Sequence, residues 1–226
     1  MAVAVIVAVE AALTTPTLEA RFDVAPITTA EARQRLQAAT VELIGLGCDL
    51  GLRQGTGVAL GPDRLVTSAH VVQAFRTLDI VPADSGPIHA ARSDVRIAAG
   101  ADVATVHGAG LGARPLALAP YDAVPGEGVW LSGYLHDSGR LQVLPARVVD
   151  YLSGRKLGQP RPVMRLDVAA RPGMSGGAVL DQAGRLAGIV FGVEGVTNDS
   201  LVVPASALRR ALTDRLVVDR ACALSR

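Results

Sequence analysis

From Thr40 to Pro204 the chain never settles into a helical period. Short apolar runs follow one another, each cut by Gly, Pro or Asp. TVELIGLG, TGVAL, RLVTSA, DIVPA, HAARSDVRIAA and DVATVHG come first, then VWLSGYL, LQVLPARVVDYL, PVMRLDVAA, GAVLD, RLAGIVFGV and DSLVVP. Runs this short, rich in β-branched residues and spaced by turn signals, read as strands of a sandwich or barrel. Their order lacks the strand–helix alternation of a parallel sheet. A Pro/Gly-rich joint at 119–128 separates the first group of runs from the second. The expected class is all-β.

Helical signals stand only at the flanks. Thr28, followed three residues later by Glu31, is a capping box and predicts a short helix over TTAEARQRL. In PASALRRALTDRL, Ala205, Leu208 and Leu212 share one helical face, which predicts an amphipathic terminal helix. GLGCDLG and GAGLG neither fit GxGxxG nor lead from a strand into a helix, so no dinucleotide site is expected.

Composition removes further classes. Aromatic residues make up 3% of the chain, too few for the stacking platforms of single-strand nucleic-acid binders. Net charge is +1, from 22 basic and 21 acidic residues with no basic block, so nucleic acid is not an expected partner. Lys156 is the single lysine among them. The two cysteines, Cys48 and Cys222, form no CxxC, which excludes a zinc knuckle or a thioredoxin-type motif. They are either two separate buried thiols or one bridge; the residues leave both open. A bridge over so long a loop is worth about 5 kcal/mol in chain entropy and would require an oxidising compartment.

The chain begins MAVAVIVAV, apolar until Glu10. A spanning helix needs about 20 apolar residues, and the basic region of a signal peptide is missing. The stretch reads as the end of a membrane helix or as a start placed too far downstream; the alternative is an element packed on the body. Residues 14–28 mix Pro, Thr and charge and read as a linker.

The chemistry concentrates in RPGMSGGAVL, residues 171–180. Gly176 and Gly177 clear side chains from around Ser175, so another backbone can lie against this loop. Gly173 can turn its N–H toward the same point as the N–H of Ser175, which makes a pair of oxyanion donors. A serine also needs a base. Of His70, His89, His107 and His136, His70 has the strongest setting: the apolar run RLVTSAH delivers it beside small Ser68 and Ala69. His89 and His107 lie in alternating runs and are expected at the surface or in structural roles. His136 lies in a turn. The base needs a carboxylate partner, and Asp79, Asp84, Asp94, Asp102 and Asp122 lie between His70 and Ser175. Asp102 opens DVATV directly after a Gly-Ala turn, which holds its carboxylate at the edge of a core, and is preferred over Asp94.

TSAH, DVA and GxSGG, in that order, resemble the chymotrypsin-fold (trypsin-like) serine proteases, and more narrowly the mycobacterial periplasmic acid-resistance proteases of that fold. The order His, Asp, Ser is that of the chymotrypsin group. The resemblance covers residues 40–222 and implies two six-stranded antiparallel β-barrels with a C-terminal helix. The first barrel would span 40–120, the second 127–203, and the helix and tail 204–222, with 1–39 outside the protease domain. It further implies His70 as base, Asp102 as its orienter, Ser175 as nucleophile, and the N–H groups of Gly173 and Ser175 as oxyanion donors. No metal or cofactor is implied. It implies the bridge Cys48–Cys222 and a membrane-associated, extracytoplasmic setting. The implied partner is a protein or peptide substrate, handled by a monomer. By the same resemblance the base of the primary pocket is expected near Ala169, with walls from Val190, Phe191 and Gly192 and from about Asp199–Leu201. Ala169 carries no charge, so a small or medium apolar P1 side chain is expected, with Asp199 the one feature against it. Met174 departs from the Asp or Asn usual before the nucleophile. It either packs under the oxyanion loop or leaves that loop less ordered, and the second case would suit an inactive relative that binds peptides without cutting them.

Overall fold

The computed structural model describes residues 25–218, apart from 74 and 84. The apolar stretch at 1–9, Asp84 and Cys222 lie outside the described residues. Helix α1 (Thr29–Ala39) is capped by Thr28, whose hydroxyl accepts the Glu31 N–H at 3.2 Å while the Glu31 carboxylate accepts the Thr28 N–H at 2.7 Å. The Thr28 N–H, followed by its hydroxyl, draws the Glu31 pKa below the usual carboxylate value. Ala32, Leu36 and Ala39 recur on one face of α1 and are buried.

The first half forms β1 (Thr40–Gly47), β2 (Leu52–Gly61), β3 (Arg64–Thr67), β4 (Phe75–Val81), β5 (Ile88–Ala90), β6 (Val95–Ala98) and β7 (Ala104–His107). A one-turn helix, α2 (Ala69–Val72), links β3 to β4. The second half forms β8 (Gly128–Tyr134), β9 (Leu141–Leu152), β10 (Val163–Leu166), β11 (Ala178–Leu180), β12 (Leu186–Val193) and β13 (Ser200–Pro204). Helix α3 (Ala205–Thr213) and a last strand, β14 (Leu216–Val218), follow. Asp122, in the joint between the halves, supplies the N-terminal cap that Pro204 cannot. Its carboxylate accepts the Ser206 N–H at 2.7 Å and the Ser206 hydroxyl at 2.6 Å.

The all-β class holds, and β8–β13 close into a six-stranded barrel in the order β10-β13-β12-β11-β8-β9. The first half differs in detail from a closed six-stranded barrel. It is an eight-stranded sheet ordered β14-β6-β7-β3-β2-β1-β4-β5, whose two end strands do not pair. The tail lengthens the sheet: Leu216 pairs with Ala98 and Val218 with Arg96, so β14 covers the edge that β6 would otherwise expose. HAARSDVRIAA is two short strands rather than one, because a 3-10 turn at Arg92–Asp94 interrupts it.

Three apolar clusters explain why so many runs are apolar on successive residues. One fills the first sheet's concave side with Val41, Leu43, Ala59, Leu65 and Ile80. A second fills the closed barrel with Leu131, Met164, Leu166, Val179 and Val202. The third lies between the sheets and takes Val58 and Val66 from one, Leu180, Leu186, Ile189 and Val203 from the other, and Leu36 and Leu208 from α1 and α3. Neighbouring residues therefore serve different clusters: Leu65 and Val66 on β3, Ile189 and Val190 on β12, Val202 and Val203 on β13. Strand side chains alternate between faces, and here both faces are covered.

Helix α1 is part of this third cluster rather than an appendage. Leu36→Ala is expected to destabilise the fold by about 2–5 kcal/mol, the usual range for a fully buried leucine. Arg33→Ala, on the exposed face, should fall within about 0.5 kcal/mol of wild type. Denaturant midpoints measure both, and equal midpoints for the two variants would contradict the packing.

Candidate active site

The register of β3 against β7 brings His70 to Asp102. Thr67 pairs with Ala104, so the chain leaving β3 toward His70 runs alongside the chain entering β7 from Asp102. Asp102 holds His70 twice: Oδ1 accepts the backbone N–H at 2.8 Å and Oδ2 lies 2.6 Å from the ring Nδ1. A carboxylate accepts here, so Nδ1 carries the hydrogen and Nε2 is left with its lone pair. The imidazole is about half exposed (48%) while Asp102 is largely covered (18%). The backbone N–H of Asp102 in turn donates to Oε1 of buried Gln159, 3.2 Å away and contributed by the second half of the chain.

The Ser175 loop is tied down carbonyl by carbonyl. Pro172 O accepts from His136 N at 2.9 Å, and Met174 O accepts from Gly177 N at 2.9 Å. Gly173 O accepts the Thr56 hydroxyl at 2.8 Å, and Ser175 O accepts the Thr56 N–H at 2.8 Å. Among the described residues, the N–H groups of Gly173 and Ser175 have no hydrogen-bond partner in the chain. A trans peptide points its N–H opposite its C=O, so pinning Pro172 O and Met174 O fixes the direction of those two N–H groups. Gly173 has φ +95°, and a Cβ there would meet Tyr134 O at 2.5 Å; only glycine fits. Met174 is fully buried in the closed barrel's core, and its sulfur accepts the Arg171 N–H at 3.3 Å. Of the two expectations for Met174, packing beneath the loop is the one realised.

The neighbours of His70 and Ser175 in the chain share an acceptor. Val190 O receives the Ser68 hydroxyl at 2.8 Å and the Gly176 N–H at 2.7 Å, so the segments carrying the histidine and the serine converge on one carbonyl. No hydrogen bond joins His70 Nε2 to Ser175 Oγ in this structure; catalytic hydrogen bonds often tighten only with substrate in place.

With this geometry, likeness to known proteins is informative. The trypsin-like peptidase domain family matches residues 55–189, more than half of the chain and inclusive of His70, Asp102 and Ser175. The chain belongs to the trypsin-like peptidase family. Serine protease Rv3671c of Mycobacterium tuberculosis H37Rv is 34% identical over 146 residues, which are 62% of this chain. Those residues are 36% of that protein, so the chain spans about a third of its relative's length. The solved Rv3671c protease in its active form superposes with a TM-score of 0.70 at 24% identity, over 84% of this chain and 88% of that one. The HtrA-type protease AlgW superposes with a TM-score of 0.71 at 19% identity, over 83% of this chain and 63% of that one, and shows the fold alone.

In this trypsin-like peptidase the remaining candidates have other employment. Asp79 pairs with His89 Nδ1 at 2.9 Å on the exposed side of β4 and β5. Asp94 accepts the Ala91 N–H and closes a turn, and Asp122 caps α3. His107 is exposed at the end of β7, and His136 acts through its backbone N–H. Around the expected pocket, Ala169 is exposed, Val190 buried, and Phe191 and Gly192 half-buried. The register shift between Val190 and Gly192 puts Phe191 at a bulge, a device common beside active sites. Asp199, the feature that stood against an apolar pocket, lies 3.2 Å from a guanidinium nitrogen of Arg165, which Asp150 also holds at 2.8 Å. Hydrogen bonding to Asp150 raises the Arg165 pKa, with Asp199 and Glu194 acting in the same direction.

Thr56 and Gln159 were not singled out by the sequence. Each is one polar residue outside any motif, and each acts across a long loop. The seam also predicts a stability effect. A Cβ on Gly176, at φ +83°, would lie 2.0 Å from Thr56 O and 2.2 Å from the Thr67 hydroxyl. Gly176→Ala should cost about 3 kcal/mol or more, since backbone strain and a clash with main chain combine. Thermal denaturation measures this; an unchanged melting temperature would contradict the described seam.

Proposed function

We propose that this chain is a serine endopeptidase acting on protein or peptide substrates, with His70, Asp102 and Ser175 as its triad. Ser175 Oγ adds to the scissile carbonyl as its proton passes to His70 Nε2. Asp102 keeps the hydrogen on Nδ1 and stabilises the imidazolium. The carbonyl oxygen becomes an oxyanion that accepts from the N–H groups of Gly173 and Ser175. Collapse breaks the C–N bond, and the amine leaves with the proton from Nε2. Water then gives a proton to Nε2, adds to the acyl ester, and releases the acid and Ser175. The observation that carries this reading is the Ser175 loop, whose carbonyls from Pro172 to Ser175 are occupied while, among the described residues, the two N–H groups needed for an oxyanion are not.

The pocket reading is an apolar P1 of small or medium size, supported by uncharged Ala169 and by the pairing of Asp199 with Arg165. The setting we propose is extracytoplasmic and membrane-associated, with a Cys48–Cys222 bridge and a monomeric chain. Its support is the apolar MAVAVIVAV start and the absence of a free thiol among the described residues. No helix among the described residues is long and apolar enough to cross a membrane.

A fluorophosphonate probe should label wild type at Ser175, and Ser175→Ala should neither label nor hydrolyse peptides. Hydrolysis retained by that variant would refute the assignment, and an unlabelled wild type would favour a peptide-binding module. Asp102→Asn should lower kcat by about 10⁴, because the wrong tautomer then faces Ser175. Profiling against a peptide library should return apolar P1 residues; a strong preference for Arg or Lys would overturn the pocket reading.

A further inference from the structure

We propose that Thr56, on β2 of the first sheet, is a positioning residue for the oxyanion site presented by the second barrel; the proposal rests on the serine peptidase reading above. Thr56 is fully buried, and every polar group it has is in use. Its N–H donates to Ser175 O at 2.8 Å and its hydroxyl donates to Gly173 O at 2.8 Å. The same hydroxyl accepts the Tyr134 N–H at 2.9 Å, and its carbonyl accepts the Thr67 hydroxyl at 2.6 Å. One residue thus grips the carbonyls of both residues whose N–H groups would bind the oxyanion.

The hydroxyl is the part of this grip that a side chain controls. The Gly173–Met174 peptide lies between the peptides that carry the Gly173 and Ser175 N–H groups. Gly173 sits at φ +95°, where glycine has little preference of its own, so external bonds set the conformation. Without the hydroxyl, Gly173 O becomes a part-buried acceptor that has lost its partner in the chain, a state that favours reorientation. Turning that peptide changes Gly173 ψ and Met174 φ, and tilts both neighbouring N–H groups off the point on which they converge. Oxyanion stabilisation by the second barrel is thereby made dependent on docking of the first.

A threonine that merely fills space would behave differently. Thr56→Val keeps the shape and apolar contacts but removes the donor and acceptor; Thr56→Ser keeps both. The comparison uses the whole chain, a peptide amide substrate, a peptide boronic acid as tetrahedral analogue, and hydrogen exchange over residues 171–178. Thr56→Val should lower kcat by about 10- to 100-fold, somewhat less than outright loss of an oxyanion donor, with KM within about threefold. Its boronic acid affinity should fall by the same factor as kcat, and exchange in 171–178 should speed up. Thr56→Ser should stay within about threefold of wild type in kcat and match its exchange. If the valine variant does not fold, Thr56→Ala takes its place with the same readouts. Wild-type kcat and wild-type exchange in the valine or alanine variant would overturn the proposal, as would a serine variant equally impaired. An inactive wild type would refute the peptidase reading instead, and the exchange comparison would still decide whether the hydroxyl holds the loop.

Discussion

The two sheets are held at a fixed distance by a layer of apolar side chains that neither could bury alone. Val58 and Val66 project from one side; Leu180, Leu186, Ile189 and Val203 meet them from the other, with α1 and α3 closing the ends through Leu36 and Leu208. Apolar burial is strong and non-directional. It sets how near the sheets lie but not their alignment. Alignment comes from hydrogen bonds that cross the same seam: Thr56 N–H to Ser175 O, the Thr56 hydroxyl to Gly173 O, and the Ser68 hydroxyl to Val190 O. Their donors, Thr56 and Ser68, are fully buried, so these bonds are costly to leave unmade, and the apolar layer and the polar crossings reinforce each other.

Glycine is what lets the Ser175 loop come this close, both to Thr56 across the seam at Gly176 and to the second barrel's own main chain beneath it. At Gly177 a Cβ would lie 1.9 Å from Ser132 O, and at Gly133 it would lie 2.7 Å from Met174 Cα. The main chains under the Ser175 loop approach as closely as backbones can, and side chains are excluded there. The same closeness explains Met174. The Met174 thioether anchors the loop by filling the barrel core and accepting the Arg171 N–H. The loop is ordered from within the fold.

Much of this is legible in the residues because local rules and global fold agree. Thr28 and Glu31 announce α1, and the spacing of Ala205 and Leu208 announces α3. The apolar runs mark β2, β3, β11, β12 and β13 most plainly, because successive residues there feed two clusters. His70 and Asp102 are 32 residues apart and meet through a β3–β7 register that no periodicity reveals; local setting singled out each residue, and the motif resemblance then gave them their roles. What the residues conceal is of two kinds. β14 is a three-residue run after a helix, too short to read as a strand, yet it lengthens the first sheet. Thr56 reaches Gly173, 117 residues away, and Ser175 through two hydrogen bonds, and Gln159 reaches Asp102, 57 residues away, through one; neither leaves a local trace.

The central claim is that Ser175 and the two neighbouring N–H groups form one acyl-transfer site. A crystal structure of the chain with a peptide boronic acid tests it most directly. The account predicts a bond from Ser175 Oγ to boron, with one boronate oxygen within hydrogen-bond distance, about 2.7–3.1 Å, of the Gly173 and Ser175 nitrogens and His70 Nε2 facing the adduct. Boron left unbonded at Ser175, or the Pro172 carbonyl turned into the place of the Gly173 N–H, would contradict it.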